Sequence, residues 1–290
     1  MKQMAFLSLL VVILVSCAGT GTGNYPNSEP EQNIQNKGSD TIVNLALAWA
    51  ERYQSSHPEV HLSVTGGGSG TGLAALINGT VDIANASRQI KTEEIAEAQS
   101  KGIEPVEHII ARDAIAVIVN PKNPVQQLTL QQIADIYSGK YNNWQQVGGE
   151  DRPIVRLSRE TNSGTHVYFL ETVLRLGEKE NKTLFSTDTL LLASSEGIIN
   201  EVRLNPNAIG YDGLGYVPFD LKMIAIARDA GQAYILPSIA TVNNNSYPIA
   251  RDLYMYTAGQ PDGAVAAYLD WILSGEAQTI VAELGFVPVK

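Results

Sequence analysis

Cysteine is almost missing from this 290-residue chain: Cys17 stands alone, so no disulfide can form within it. None is needed, because 44% apolar composition is ordinary for a packed core of this size. Long hydrophobic runs are scarce too. The near-continuous apolar stretch Phe6–Val15 is well short of the roughly 20 residues that a bilayer-spanning helix requires. Positive charge is also in short supply, with 20 Lys and Arg against 30 Asp and Glu and a formal charge of −10. That excludes nucleic acid as a partner, since binding it takes a basic footprint. The four histidines, His57, His61, His108 and His166, are scattered, and no Cys, His and carboxylate group has metal-ligand spacing. No metal and no cofactor are expected.

The position of Cys17 is informative. Lys2 followed by Phe6–Val15 reads as a secretory leader. It ends in Leu14-Val15-Ser16-Cys17, which resembles the bacterial lipobox. The expectation is a signal peptide over 1–16, with Cys17 lipidated as the mature N-terminus. Stable anchoring needs more than one acyl chain. Residues 17–32, rich in Gly, Thr and Pro with little to bury, read as the lipidated flexible tether. The protein would therefore sit in the cell envelope, outside the cytoplasm, held to membrane lipid. Losing Lys2 with the leader makes the net charge about −11, a value that governs encounter more than local affinity.

Beyond the tether, short strands alternate with amphipathic helices, which predicts an α/β fold with largely parallel sheets. Val60, Leu62 and Val64 alternate as a strand, and Leu73–Ile77 opens a helix closed by Asn78-Gly79. Ile42, Leu45, Ala46 and Trp49 keep helical spacing. So do Val167, Leu170, Val173 and Leu174, in a helix running from Thr165 through Leu176. Val265, Tyr268, Leu269 and Ile272 predict another helix, stopped around Ser274-Gly275. The tripeptide Ala111-Arg112-Asp113 recurs as Ala250-Arg251-Asp252, each time leading into an apolar strand. Read as paired crossings, these divide the chain into lobe I (33–112 and 252–290) and lobe II (113–251), with a ligand cleft between them.

Three turns carry the candidate chemistry. Gly38-Ser39-Asp40-Thr41 precedes the helix that begins near Ile42; its N-cap residues and orphan N–H groups can receive an anion. Thr65 through Gly72 lies between a strand and a helix. There the backbone at Gly68 and Gly70 can approach an oxyanion closely, and Ser69 and Thr71 add hydroxyl donors. Neither a phosphate loop ending in Gly-Lys-Ser/Thr nor a Gly-x-Gly-x-x-Gly register fits it, which demotes nucleotides. In the third turn, Arg159 can grip two oxygens, Ser163 and Thr165 can donate, and Gly164 permits close approach. Three such turns, one of them across the inferred hinge, predict a clamp on a small tetrahedral oxyanion.

The same residues resemble a known family. Lys37-Gly38-Ser39-Asp40-Thr41, Thr65–Gly72, Val81-Asp82-Ile83-Ala84-Asn85-Ala86-Ser87-Arg88, Arg159 with Ser163-Gly164-Thr165, and Ile209-Gly210-Tyr211 are similar to the motifs of the periplasmic phosphate-binding component of the phosphate ABC transporter. The resemblance covers nearly the whole mature chain. It implies a type II periplasmic-binding-protein fold, two lobes joined by two hinge crossover strands. It also implies inorganic phosphate as ligand, an ABC transporter permease as partner, a monomer, and no catalysis. By motif position, Thr41 and the backbone of Ile42, then Ser69, then Arg159, Ser163, Gly164 and Thr165 would hold phosphate. Ser39, Asp40, Gly68, Gly70, Thr71, Ser87 and Arg88 complete the candidate set.

One position departs from the pattern. Where the well-known branch has an aspartate that accepts a hydrogen bond from protonated phosphate, this chain has Arg88. A carboxylate acceptor welcomes protonated phosphate and repels sulfate. Asp40, its charge balanced by Arg88, is the expected replacement, with Asp212 as a lesser one. Three alternatives stand beside phosphate transport: capture of sulfate or molybdate, a phosphate-sensing or adhesive surface lipoprotein, and a phosphatase using Ser163 with His166, which lie three apart on one helix face.

Overall fold

The computed structural model describes residues 32–289. The expected leader, Cys17 and almost all of the expected tether lie outside the described residues. The first part of the chain runs β1 (Gln32–Gly38), α1 (Asp40–Ser56), β2 (Val60–Thr65), α2 (Ser69–Ile77), β3 (Ile83–Ala86) and α3 (Thr92–Ser100). The long strand β4 (Val106–Val119) then leads to β5 (Gln127–Thr129), α4 (Leu130–Tyr137), β6 (Val155–Arg159), α5 (Gly164–Phe169), β7 (Leu190–Leu192), α6 (Ser195–Leu204) and β8 (Ala208–Gly213). Next come β9 (Lys222–Met223), β10 (Ala225–Ala227) and α7 (Ile239–Asn243), before β11 (Ala250–Thr257), α8 (Gly263–Ile272) and α9 (Gly275–Glu283) close the fold.

The main sheet has the order β2-β1-β3-β11-β4-β8-β6-β7. Its two flanks are parallel, β1 with β2 and β3 on one side and β6 with β7 and β8 on the other. The centre is antiparallel. Over its first half β4 pairs with β11, and from Ile115 to Val119 it pairs with β8 instead. One strand thus passes from the first sheet half to the second, and β11 returns beside it. The architecture is α/β and two-lobed, with separate apolar cores on the two sides.

The repeated tripeptides turn out to face each other. In the antiparallel register Arg112 lies opposite Asp252 and Arg251 opposite Asp113. Neighbouring residues on a strand point to opposite faces, so one ion pair, Arg112 Nε to Asp252 Oδ1 at 3.6 Å, is partly exposed. The other, Arg251 Nη2 to Asp113 Oδ2 at 3.0 Å, is buried.

Local sequence explains the elements around the centre. In α1 the stripe Ile42, Leu45, Ala46 and Trp49 is fully buried; each large apolar side chain removed from water contributes roughly 1.5–3 kcal/mol. Trp49 keeps its indole N–H satisfied on the Ala277 carbonyl at 2.9 Å. The helix stops before Pro58, whose ring disfavours helical geometry at His57. Two boundaries differ from expectation, and a third serves twice. Helix α2 begins at Ser69, inside the glycine cluster and four residues before Leu73. Helix α5 ends at Phe169 and passes into a π-turn over Leu170–Leu174; Leu176 has left the helix at φ 54°. Ser274-Gly275 does follow the end of α8, but Ser274 also caps α9, accepting from Ala277 N at 3.3 Å. The strand-to-helix alternation therefore aims α1, α2 and α5 at one place.

Candidate functional site

The first turns of α1, α2 and α5 meet beside the end of β3 in a cluster of buried hydroxyls. Ser39 Oγ donates to Ser87 Oγ at 2.9 Å, and Ser69 Oγ lies 3.3 Å from Ser87 Oγ while accepting from the Ser87 N–H at 3.0 Å. Thr41 Oγ1 and Thr165 Oγ1 share a hydrogen bond of 2.8 Å between α1 and α5. All five side chains are buried. Gly164 lets α5 approach this closely: a Cβ there would stand 2.3 Å from Ser69 Oγ and 2.6 Å from Ser87 Oγ. A hydroxyl is donor and acceptor at once and rotates to suit, so the cluster can turn several donors toward one small anion.

Of two buried guanidinium groups nearby, Arg251 touches the cluster itself and Arg159 is held beside it by Asp40, next to Thr41 in the chain. Arg251, from the crossing strand β11, donates to Thr165 Oγ1 at 3.0 Å and to the Ser87 carbonyl at 2.8 Å, while Asp113 Oδ2 holds its other edge. It also lines a cleft of about 750 Å³ that Arg88, Lys91, Tyr168 and Tyr254 help to form. Arg159, at the end of β6, donates to Ser195 Oγ at 2.8 Å, Asp40 Oδ2 at 3.0 Å and the Ala193 carbonyl at 2.8 Å. Asp40 Oδ2 accepts as well from the Ser195 N–H at 2.9 Å, and Tyr216 OH donates to the Asp40 carbonyl at 2.8 Å. Asp212 Oδ1 accepts from Ser195 Oγ and the Gly213 N–H.

The carboxylates outnumber the cations, and burial acts on them. Burial pushes Asp113 up to about 6 against the opposing pull of Arg251, and nearby Asp212 adds to the rise. Burial likewise raises Asp212, with Arg159 opposing it. Both effects follow from the cost of a charged carboxylate away from water.

The comparisons with known proteins decide the family. Residues 24–276 match the PBP superfamily domain. The phosphate-binding protein PstS of Pseudomonas aeruginosa is 31% identical over 274 residues, covering 89% of this chain and 83% of that protein. The chain belongs to the PBP superfamily, in its phosphate-binding protein family. A candidate phosphate ABC transporter substrate-binding protein from Clostridium perfringens, solved with bound phosphate, superposes with a TM-score of 0.80 at 32% identity, covering 89% of this chain and all of that one. An ABC-type phosphate transport receptor from Vibrio cholerae gives 0.70 at 28% identity, covering 89% of this chain and all of that one.

Membership of the PBP superfamily makes this a binding protein and not an enzyme, and the third turn is built accordingly. Ser163 Oγ caps its own helix, accepting from Thr165 N at 3.2 Å and His166 N at 3.5 Å. The His166 ring turns instead to Ser158 Oγ at 3.0 Å, which in turn meets Tyr211 OH at 2.6 Å. Burial lowers the His166 pKa. No nucleophile and base pair forms between Ser163 and His166.

Of the candidate residues, Ser39, Thr41, Ser69, Ser87, Gly164 and Thr165 come together in this hydroxyl cluster. Others take different work. Gly68 N–H donates to the Gly38 carbonyl and Gly70 N–H to the Asn162 carbonyl, so the glycine loop spends these donors on protein oxygens. At Gly68, φ is 93° and a Cβ would stand 2.8 Å from the Asn162 carbonyl oxygen; glycine is required there for lobe contact. Thr71 Oγ1 donates to the Gly67 carbonyl, and Ile42 N–H to the Ser39 carbonyl. The expected partnership of Arg88 with Asp40 is replaced. Arg88 forms a two-pronged bridge to Glu94, at 2.8 and 2.7 Å, because Glu94 caps α3 right beside it, whereas Asp40 is taken by Arg159. Sequence reasoning missed Arg251, Asp113 and Ser195. The repeated Ala-Arg-Asp held the signal for the first two; Ser195 had none.

Proposed function

We propose that this protein is an extracytoplasmic lipoprotein that captures inorganic phosphate by closure of two lobes and delivers it to an ABC transporter permease. What carries the reading is the buried hydroxyl cluster, supplied by three helix starts and the end of β3 and touched by Arg251. A tetrahedral oxyanion needs donors around all four oxygens, since each buried unpaired polar group costs about 1–3 kcal/mol. Hydroxyls, helix N-termini and one-sided guanidinium edges meet that need. The relatives named as phosphate-binding proteins supply the identity of the anion. In this reading lobe I comprises 33–112 and 252–290 and lobe II 113–251. Thr41, Ser69, Ser87, Arg159, Gly164, Thr165 and Arg251 are the contacts, and Cys17 carries the lipid.

The test is calorimetry of the mature protein with phosphate, sulfate and molybdate. Phosphate should bind at least a hundredfold more tightly than the others. Equal binding, or a preference for sulfate or molybdate, would refute phosphate as the ligand. Mass spectrometry of the mature N-terminus should find an acylated Cys17; an unmodified cysteine would refute the anchor.

A further inference from the structure

Helix α2 starts without a cap of its own. Its N-cap residue is Gly68, which has no side chain to accept from the first turn, and the first N–H groups of a helix find no partner within it. One of them is answered by the turn before α5: the Gly70 N–H donates to the Asn162 carbonyl at 3.0 Å. The Asn162 side chain reaches back to the same glycine turn, where its Nδ2 donates to the Gly67 carbonyl at 2.9 Å. Asn162 therefore holds a turn 95 residues away by one acceptor and one donor.

The fit depends on glycine. Gly67 and Gly68 lie at φ 117° and 93°, and a Cβ at Gly68 would stand 2.8 Å from the Asn162 carbonyl oxygen and 3.3 Å from its side-chain Cγ. Thr71 Oγ1 donates to the same Gly67 carbonyl at 2.7 Å and so fixes the acceptor in place. Asn162 itself is exposed, whereas the hydroxyl cluster is buried. Its hydrogen bonds go to Gly67, Gly70 and, at 3.5 Å, Thr71, and not to the cluster.

We propose that Asn162 is a latch, a positioning residue that holds the lobes shut over the anion and sets how long it stays without touching it. The inference rests on the capture reading above, in which Asn162 and the glycine turn belong to different lobes. Opening would part them and leave the Gly70 N–H and the Gly67 carbonyl to water. A contact made in the closed form alone shifts the balance toward that form. It slows release and leaves the first encounter with the anion unchanged, and most affinity differences between related complexes do lie in release. Discrimination between anions is left to the groups that contact them.

The experiment follows release of radiolabelled phosphate from the mature protein during a chase with excess unlabelled phosphate. Equilibrium dialysis gives Kd, and the two together give the association rate. Asn162→Ala removes the side-chain bond and keeps the backbone one. Release should quicken about two- to twelvefold, the effect of one hydrogen bond, and Kd should rise by the same factor with association unchanged. The phosphate-to-arsenate affinity ratio should not move, whereas loss of an anion contact would move it. Thr161→Ala, an exposed neighbour in the same turn, is the control and should release phosphate as wild type does. In the wild-type protein, hydrogen exchange at the Gly70 amide should slow when phosphate is added, because closure brings that N–H its partner. Unchanged release from Asn162→Ala, slower association in place of faster release, an altered phosphate-to-arsenate ratio, or Gly70 exchange that ignores phosphate overturns the latch while leaving phosphate capture intact. Wild-type protein that binds no phosphate overturns both readings.

Discussion

Replacing Gly164 by alanine tests the closeness of the lobes directly. The added methyl would stand 2.3 Å from Ser69 Oγ, 2.6 Å from Ser87 Oγ and 3.0 Å from Ser69 Cβ, where non-bonded carbon contacts ordinarily settle near 3.5–4.0 Å. Neither serine can yield, because Ser87 N–H is bonded to Ser69 Oγ and both side chains are fully buried. Helix α5 must therefore retreat by about 1 Å, which breaks the 2.8 Å bond between Thr41 and Thr165. Overpacking of this kind costs about 1–3 kcal/mol, so phosphate should bind about fivefold to over a hundredfold more weakly by calorimetry. Gly275→Ala is the matched control. Gly275 also follows a serine cap at the first position of a helix, but nothing lies within 4 Å of its added Cβ; its phosphate affinity should be unchanged and its stability equal or slightly higher. A Gly164→Ala affinity within twofold of wild type would refute the closed geometry.

Two further predictions concern the buried charges. Arg159→Ala removes the cation 3.6 Å from the buried Asp212 and 3.0 Å from Asp40; it should cost about 3–5 kcal/mol of stability, seen as a lower urea midpoint, and an unchanged midpoint would refute it. Asp113, raised by burial to about 6 from an ordinary 3.8, keeps its proton in the folded state through a pH window where the unfolded chain has lost it. Its contribution to stability is therefore present below about pH 4 and is lost as pH rises to about 6, a fall on the order of 3 kcal/mol. The unfolding free energy of wild type relative to Asp113→Asn, from urea titrations at about pH 4 and 7, should drop accordingly; a flat or rising difference would contradict this.

The sequence was most legible where one element decides the outcome. The spacing of Ile42, Leu45 and Trp49 reveals α1 because helical period and burial coincide there. The three turns are legible because a strand, small polar residues and a helix start follow one another directly. Long-range pairing was harder. Arg251 and Asp113 are 138 residues apart, and no local pattern tells that two copies of a tripeptide will lie antiparallel and neutralise each other. The glycine cluster misled for a related reason. Composition shows that the backbone can approach something closely, but not that Asn162 from the other lobe is what it approaches. Arg88 was drawn away from Asp40 by Glu94, whose role as a cap depends on where α3 begins. The π-turn after Phe169 keeps the apolar stripe of a regular helix, so periodicity could not show it.

The face-to-face Ala-Arg-Asp tripeptides also constrain how the two halves can move. Two separate linkers would permit sliding as well as rotation. Paired strands behave like a short ribbon, compliant in twist and stiff in shear. Slipping one strand by a single residue would send every side chain to the opposite face, carrying Asp113 and Arg251 out of register. The pairing therefore acts like meshed teeth: the closure proposed above would turn the lobes about β4 and β11 without slipping along them. Arg251 is one of those teeth and also touches Ser87 and Thr165, so under the proposed function the strand pairing and the anion contacts share a residue, and closure of the lobes would be felt at those contacts without any intermediary.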